Sequence, residues 1–203
     1  MNLTKSRSPL RIKAADIAAD GTFFGYGSVF NVVDSGGDLI RPGAFSESLS
    51  RHAENGTRAK LLWQHYHDKP IGSWVEMRED DHGLLCRGKL LIDDVEKARE
   101  AYALMKAGEL DGLSIGYECT EWDSVRSDEL STKYGIGQIG SYAVGQNSVR
   151  VLKTVDLWEV SVVTFPMNEA ARVEAVKRHA APAIPDLSRI AAALDRRQAI
   201  LSA

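Results

Sequence analysis

Only two cysteines occur in the 203 residues, Cys86 and Cys119, and neither belongs to a CxxC pair. That excludes a disulfide framework, and both thiols sit in apolar or strand-like runs where buried free cysteines belong. Long hydrophobic runs are missing as well: nothing approaches the ~18 apolar residues of a membrane-spanning helix. Residues 1–9 are polar and basic with no apolar stretch behind them, so no secretory signal is expected. Neither sign of charge dominates. Against 28 acidic residues stand 25 Lys+Arg, a net −3, which excludes nucleic-acid binding by bulk charge. These absences predict a protein of a reducing, aqueous compartment.

What is present is ordinary globular material, 44% hydrophobic and 26% charged, enough for one domain with a real core plus an appendage. Residues 1–9 read as a loose tail. Aromatic and β-branched residues from Thr22 to Phe30 predict a strand, with Gly25 and Gly27 marking a bend or a close backbone approach. Asp34-Ser35-Gly36-Gly37-Asp38 is a turn, and Pro42 opens a short helix ending at Asn55-Gly56. Strands follow at 60–64, 72–78 and 84–92, the last two joined by a tight turn at residues 80–83. A helix capped by Asp93 or Asp94 runs to Ala107 on the apolar steps Val95, Ala98, Tyr102 and Met105, and Gly108 stops it.

A strand is predicted over 110–120. Residues 123–149, rich in Ser and Gly, predict a long mobile excursion. Residues 151–165 carry the strongest strand signal. Pro166 ends it, and Asn168 is placed to cap a helix to about His179. Residues 180–185 read as a linker and 186–201 as a final amphipathic helix, striped by Leu187, Ile190, Ala191, Leu194 and Leu201. That stripe wants a partner, either the domain's own core or a docking surface. Strands joined by tight turns, with no βαβ rhythm, predict an α+β fold: a largely antiparallel sheet or barrel with helices packed outside.

Nucleophilic hydrolysis needs a hydroxyl or thiol, a base, and a group that orients the base. Of five histidines, His52, His82 and His179 suit solvated roles. His65 directly follows the apolar run Leu61-Leu62-Trp63, at a strand end. Ser114 lies in Gly112-Leu113-Ser114-Ile115-Gly116. The spelling is Gly-x-Ser-x-Gly, but a helix precedes the segment and no helix follows, so this is no nucleophile elbow. The small flanking residues suggest close approach of a substrate backbone. Glu159 sits inside an apolar strand, where a charge is costly unless partnered; the alternative is an outward-facing glutamate on an edge strand. His65-x-His67 puts two rings on one strand face, yet no further residue completes a metal set.

These residues fall within a longer series of matching blocks. They include Gly25-Tyr26-Gly27-Ser28-Val29-Phe30, Pro42-Gly43-Ala44-Phe45, Leu61-Leu62-Trp63-Gln64-His65, Gly112-Leu113-Ser114-Ile115-Gly116-Tyr117, Asp156-Leu157-Trp158-Glu159-Val160-Ser161 and Thr164-Phe165-Pro166. In this order, over residues 23–178, the chain resembles the prohead proteases of tailed phages. The resemblance implies a β-barrel surrounded by helices, like that of herpesvirus assembly proteases. It also implies Ser114 as nucleophile and His65 as general base. Glu159 occupies the late-strand place of the third residue, with Asp156 as second choice. For the oxyanion hole, which such a mechanism requires, the candidates are the backbone around Met167 and Asn168 or a helix N-terminus there. No cofactor or metal is implied. The expected partners are the major capsid protein, its scaffolding segment and the protease itself, inside an assembling prohead in the host cytoplasm. Nucleic acid and membrane are not expected partners. Two alternatives stay open: a non-enzymatic scaffolding or capsid-binding protein, and a metal-dependent hydrolase using His65 and His67.

Overall fold

The computed structural model describes residues 17–136 and 147–174. Its elements begin with a meander. β1 (Thr22–Val29) pairs antiparallel with β5 (Gly83–Leu90), which pairs with β4 (Tyr66–Glu79), which pairs with β3 (Lys60–Trp63). Alternation drives these strands. In β5, Leu84, Cys86 and Leu90 are buried while Arg87 and Lys89 are exposed, as expected where one sheet face meets the core. Cys86 is fully enclosed, and burial pushes its thiol up to about 12, so it packs as a small apolar side chain.

The organising strand is β7 (Ser148–Val163). It carries β2 (Asp38–Ile40) and β3 as parallel neighbours and β6 (Gly112–Arg126) as an antiparallel one. From Glu159 to Val163 every residue of β7 is buried, which accounts for the near-continuous apolar run in its sequence. With β8 (Val173–Glu174) at one end, the sheet order is β2-β7-β3-β4-β5-β1-β8, and β6 lies beside β7. It is a mixed sheet, antiparallel in most pairings, curled into a half-barrel with few helices. α1 (Ser46–Glu54) packs against β7 and β4, and α2 (Glu96–Ala107) against β4 and β5. The larger core cluster includes Phe23, edge-on to Trp74 at 5.5 Å.

Local departures from expectation have physical reasons. α2 begins after Val95 with no side-chain cap, so neither Asp93 nor Asp94 plays that part; Gly108, at φ 77°, does end the helix. The stretch after residue 123 is more ordered than its composition suggests. β6 runs on to Arg126, a 3₁₀ turn covers Ser127–Glu129, and α3 (Leu130–Tyr134) follows. Val125, Leu130 and Val149 are few, but they close a second core with Val33, Leu39 and Val151. Residues 137–146 lie outside the described residues.

The helix expected from Asn168 does not form over 168–174. Asn168 instead donates from Nδ2 to the Val29 carbonyl at 3.0 Å and accepts the Ala170 N–H at 3.1 Å, making a turn. The chain then enters β8 (Val173–Glu174), paired with β1. Gly25 permits this: a Cβ there would lie 2.6 Å from Val173 Cα. On its other side this segment meets the start of β6, where Leu113 N–H donates to the Ala171 carbonyl at 3.0 Å and Val173 N–H to that of Asp111 at 2.9 Å. A free sheet edge and two buried side chains, Ala171 and Val173, outweigh a local helix preference. The remainder of that helix, the tail, the linker and the amphipathic segment 186–201 fall outside the described residues.

Candidate active site

β6 and β7 set the site by register. Ser114 faces Ser161, and Gly116 faces Glu159. Directly opposed residues share a sheet face, and so do residues two apart. Ser114, Glu159 and Ser161 therefore project to one side, while Leu113, Val160 and Val162 go to the core on the other. Diagonal neighbours of this kind are ~7–8 Å apart, a span that an imidazole can bridge.

The imidazole comes from the β3–β4 turn. Trp63 pairs with Tyr66, leaving Gln64 and His65 as a two-residue hairpin loop, both in the left-handed region at φ 50° and 61°. Loops of this type usually carry Asn-Gly; non-glycine residues there cost of order 1–3 kcal/mol each. The surrounding bonds hold the turn. Gln64 N–H donates to the Val162 carbonyl at 3.1 Å, and the Gln64 amide donates to Thr164 Oγ1 at 2.9 Å. His65 N–H donates to Ser161 Oγ at 3.0 Å.

The His65 ring meets Glu159, with Nδ1 2.6 Å from Oε1. Glu159 is buried on a central strand, not outward-facing on an edge. Its second oxygen accepts the Ser161 hydroxyl at 2.6 Å. An ionised carboxylate only accepts, so Nδ1 carries the proton and Nε2 is left as the basic nitrogen. Among the described residues, no hydrogen bond joins the Ser114 hydroxyl to this ring. Such catalytic bonds are often long until substrate binds. Ser114 itself is only 4% exposed.

Two residues that sequence reasoning assigned otherwise, or not at all, complete the arrangement. Ser161 links the His65 backbone to the Glu159 carboxylate; its place two residues after Glu159, on the same strand face, is the one signal that could have found it. Gly116 serves the carboxylate, not a substrate: a Cβ there would overlap Glu159 Oε1 and lie 2.9 Å from its Cδ. Gly116→Ala should therefore displace Glu159 and lower kcat/KM by ~10²-fold or more, with a loss of ~1–3 kcal/mol in stability. Peptidase kinetics and thermal melts of the same preparation check this.

Asp156 does not reach His65. It pairs with Arg51 of α1 and accepts from Ser48 Oγ at 3.3 Å. His67 is exposed beyond the turn. Among the described residues, no cluster of three or more His, Cys, Asp or Glu side chains converges as a metal set. Met167 and Asn168 line a cavity of about 180 Å³ together with Ser114. No helix N-terminus lies there, since the segment enters β8.

The family model described as caudovirus prohead serine protease matches residues 8–184. The chain is 35% identical over 177 residues to the prohead protease of Enterobacteria phage HK97, covering 86% of this chain and 68% of that one. It is 27% identical over 141 residues to the prohead protease of Escherichia phage T5, covering 67% and 54%. A capsid polyprotein of Pseudomonas phage PAJU2 is 29% identical over 122 residues, 58% of this chain and 15% of that much longer one. No helix among the described residues is long and apolar enough to cross a membrane. With a match that runs through both core strands and every residue of the His65–Glu159 arrangement, the chain belongs to the caudovirus prohead serine proteases.

Proposed function

We infer that the chain is a capsid-maturation endopeptidase that cleaves the scaffolding segment of the major capsid protein, and itself, inside the assembling prohead in the host cytoplasm. The observation that carries this is the continuous bonding from Ser161 through Glu159 to His65 beside a buried serine. Ser114 Oγ attacks the scissile carbonyl, and His65 Nε2 takes its proton and later returns it to the leaving amine. Glu159 holds the ring in one tautomer and stabilises its charged form. Base assistance of this kind contributes ~10²–10⁴-fold. Backbone N–H groups around Met167 and Asn168 are the candidate oxyanion donors, worth ~10²–10³-fold each. The likeness to herpesvirus assembly proteases belongs to the same reading.

A purely scaffolding role leaves a buried carboxylate held against a histidine with nothing to do, and burying such a charge is costly. A fluorophosphonate probe applied to the full chain should add one covalent label at Ser114, found by peptide mass mapping. No label, or a label that survives in Ser114→Ala, would sink the serine mechanism.

A further inference from the structure

The segment that leaves β7 is pinned at one peptide. The Met167 carbonyl takes two hydrogen bonds from a single residue, the Ser35 N–H and the Ser35 hydroxyl, each at 2.9 Å. The turn carrying Ser35 is held from within, Asp34 Oδ1 accepting the Gly36 and Asp38 N–H groups at 2.9 Å. It also fits the Met167 side chain, since a Cβ at Gly36 would lie 2.9 Å from Cε. On the other side Pro166 rests on Gly112, where a Cβ would lie 2.8 Å from its Cδ. A carbonyl oxygen has two lone pairs, and here both are taken. The 167–168 peptide therefore turns only by giving up both bonds.

This peptide is trans, so its N–H points opposite to its C=O. With the Met167 carbonyl on Ser35, the Asn168 N–H points away from Ser35. Asn168 is 8% exposed, and its side chain is satisfied by the Val29 carbonyl and the Ala170 N–H. Among the described residues, no acceptor meets its backbone N–H. Buried backbone donors are rarely left unpaired, and this one belongs to a residue that lines the same cavity as Ser114.

We propose that, with Ser114 as the nucleophile inferred above, Ser35 is a positioning residue for acyl transfer: it fixes the 167–168 peptide so that the Asn168 N–H donates to the oxyanion. As Ser114 Oγ bonds to the scissile carbon, its proton passes to His65 and the carbonyl π pair moves onto oxygen. That oxygen is the acceptor the Asn168 N–H lacks in the free enzyme. A donor fixed beforehand needs no reorganisation when the charge appears.

The test is the rate at which a fluorophosphonate labels Ser114 in the full chain, since the phosphoryl oxygen takes the place of the oxyanion. The maximal rate and the half-saturating probe concentration are read separately. Ser35→Ala removes one of the two bonds, and should forfeit ~10-fold of the ~10²–10³-fold that one donor supplies to the maximal rate. The half-saturating concentration should stay within about twofold and the melting temperature within ~2 °C of the parent. The pH at which labelling is half-maximal should not move, because the His65–Glu159 pair is untouched. Ser35→Thr restores the hydroxyl and should label within about threefold of the parent. Parent-like labelling by Ser35→Ala, a loss confined to the half-saturating concentration, a moved pH midpoint, or a loss that threonine fails to restore overturns the role of Ser35 and leaves the peptidase standing. No label at Ser114 in the parent overturns both.

Discussion

Ser114→Ala is expected to leave the capsid protein uncleaved when the two are co-expressed, and to leave the protease itself at full length. The loss should be ~10⁴-fold or greater, because members of a catalytic set act as a unit. The fold should not notice. The change deletes one oxygen from a strand position whose neighbours, Leu113 and Ile115, make the core contacts. A melting temperature within ~2 °C of the parent is therefore expected. Gel analysis of the capsid protein and a thermal melt of the variant check the two halves. Normal processing by the variant would end the reading; a large fall in stability would make the activity loss uninformative about chemistry.

Glu159→Gln is the second large effect, at ~10²–10⁴-fold in kcat/KM. Both Glu159 oxygens accept, one from His65 and one from Ser161. Glutamine keeps the shape but supplies one acceptor and a pair of donors. If the amide nitrogen faces His65, the ring must turn its proton to Nε2, where it cannot act as a base toward Ser114. If it faces Ser161, the hydroxyl must rotate, and the charge that favours the imidazolium is gone in either case. Asp156→Asn is the control. It weakens a partly exposed pair with Arg51, worth no more than ~1 kcal/mol, and should leave kcat/KM within about twofold. Equal losses in the two variants would move the third role away from Glu159.

Much of this site is legible in the sequence because its signals are local. An apolar run ending in His65, a serine flanked by glycines, and a glutamate inside an apolar strand each mark an unusual residue in a place that physics makes expensive. The resemblance to prohead proteases joins them into one site; composition alone does not. What stays hidden depends on pairing register. Gly116 reads as room for substrate until its opposition to Glu159 is known. Ser161 is one serine among many until Glu159 and the His65 turn converge on it. The segment after Asn168 fails differently. Its capping residue and alanines favour helix locally, but the open edge of β1 at Gly25 competes successfully for the backbone.

β7 also sets a clock on synthesis. His65 and its carboxylate are 94 residues apart in the chain, and a ribosome adding ~5–20 residues per second delivers the base about 5–20 s before the acid. Through that interval the strained Gln64–His65 turn has neither Ser161 nor the Val162 carbonyl to hold it. A nascent chain that has not yet extruded β7 thus carries only part of a peptidase. Until β7 emerges, cleavage in cis is closed off by chain order alone, before any partner or compartment imposes control.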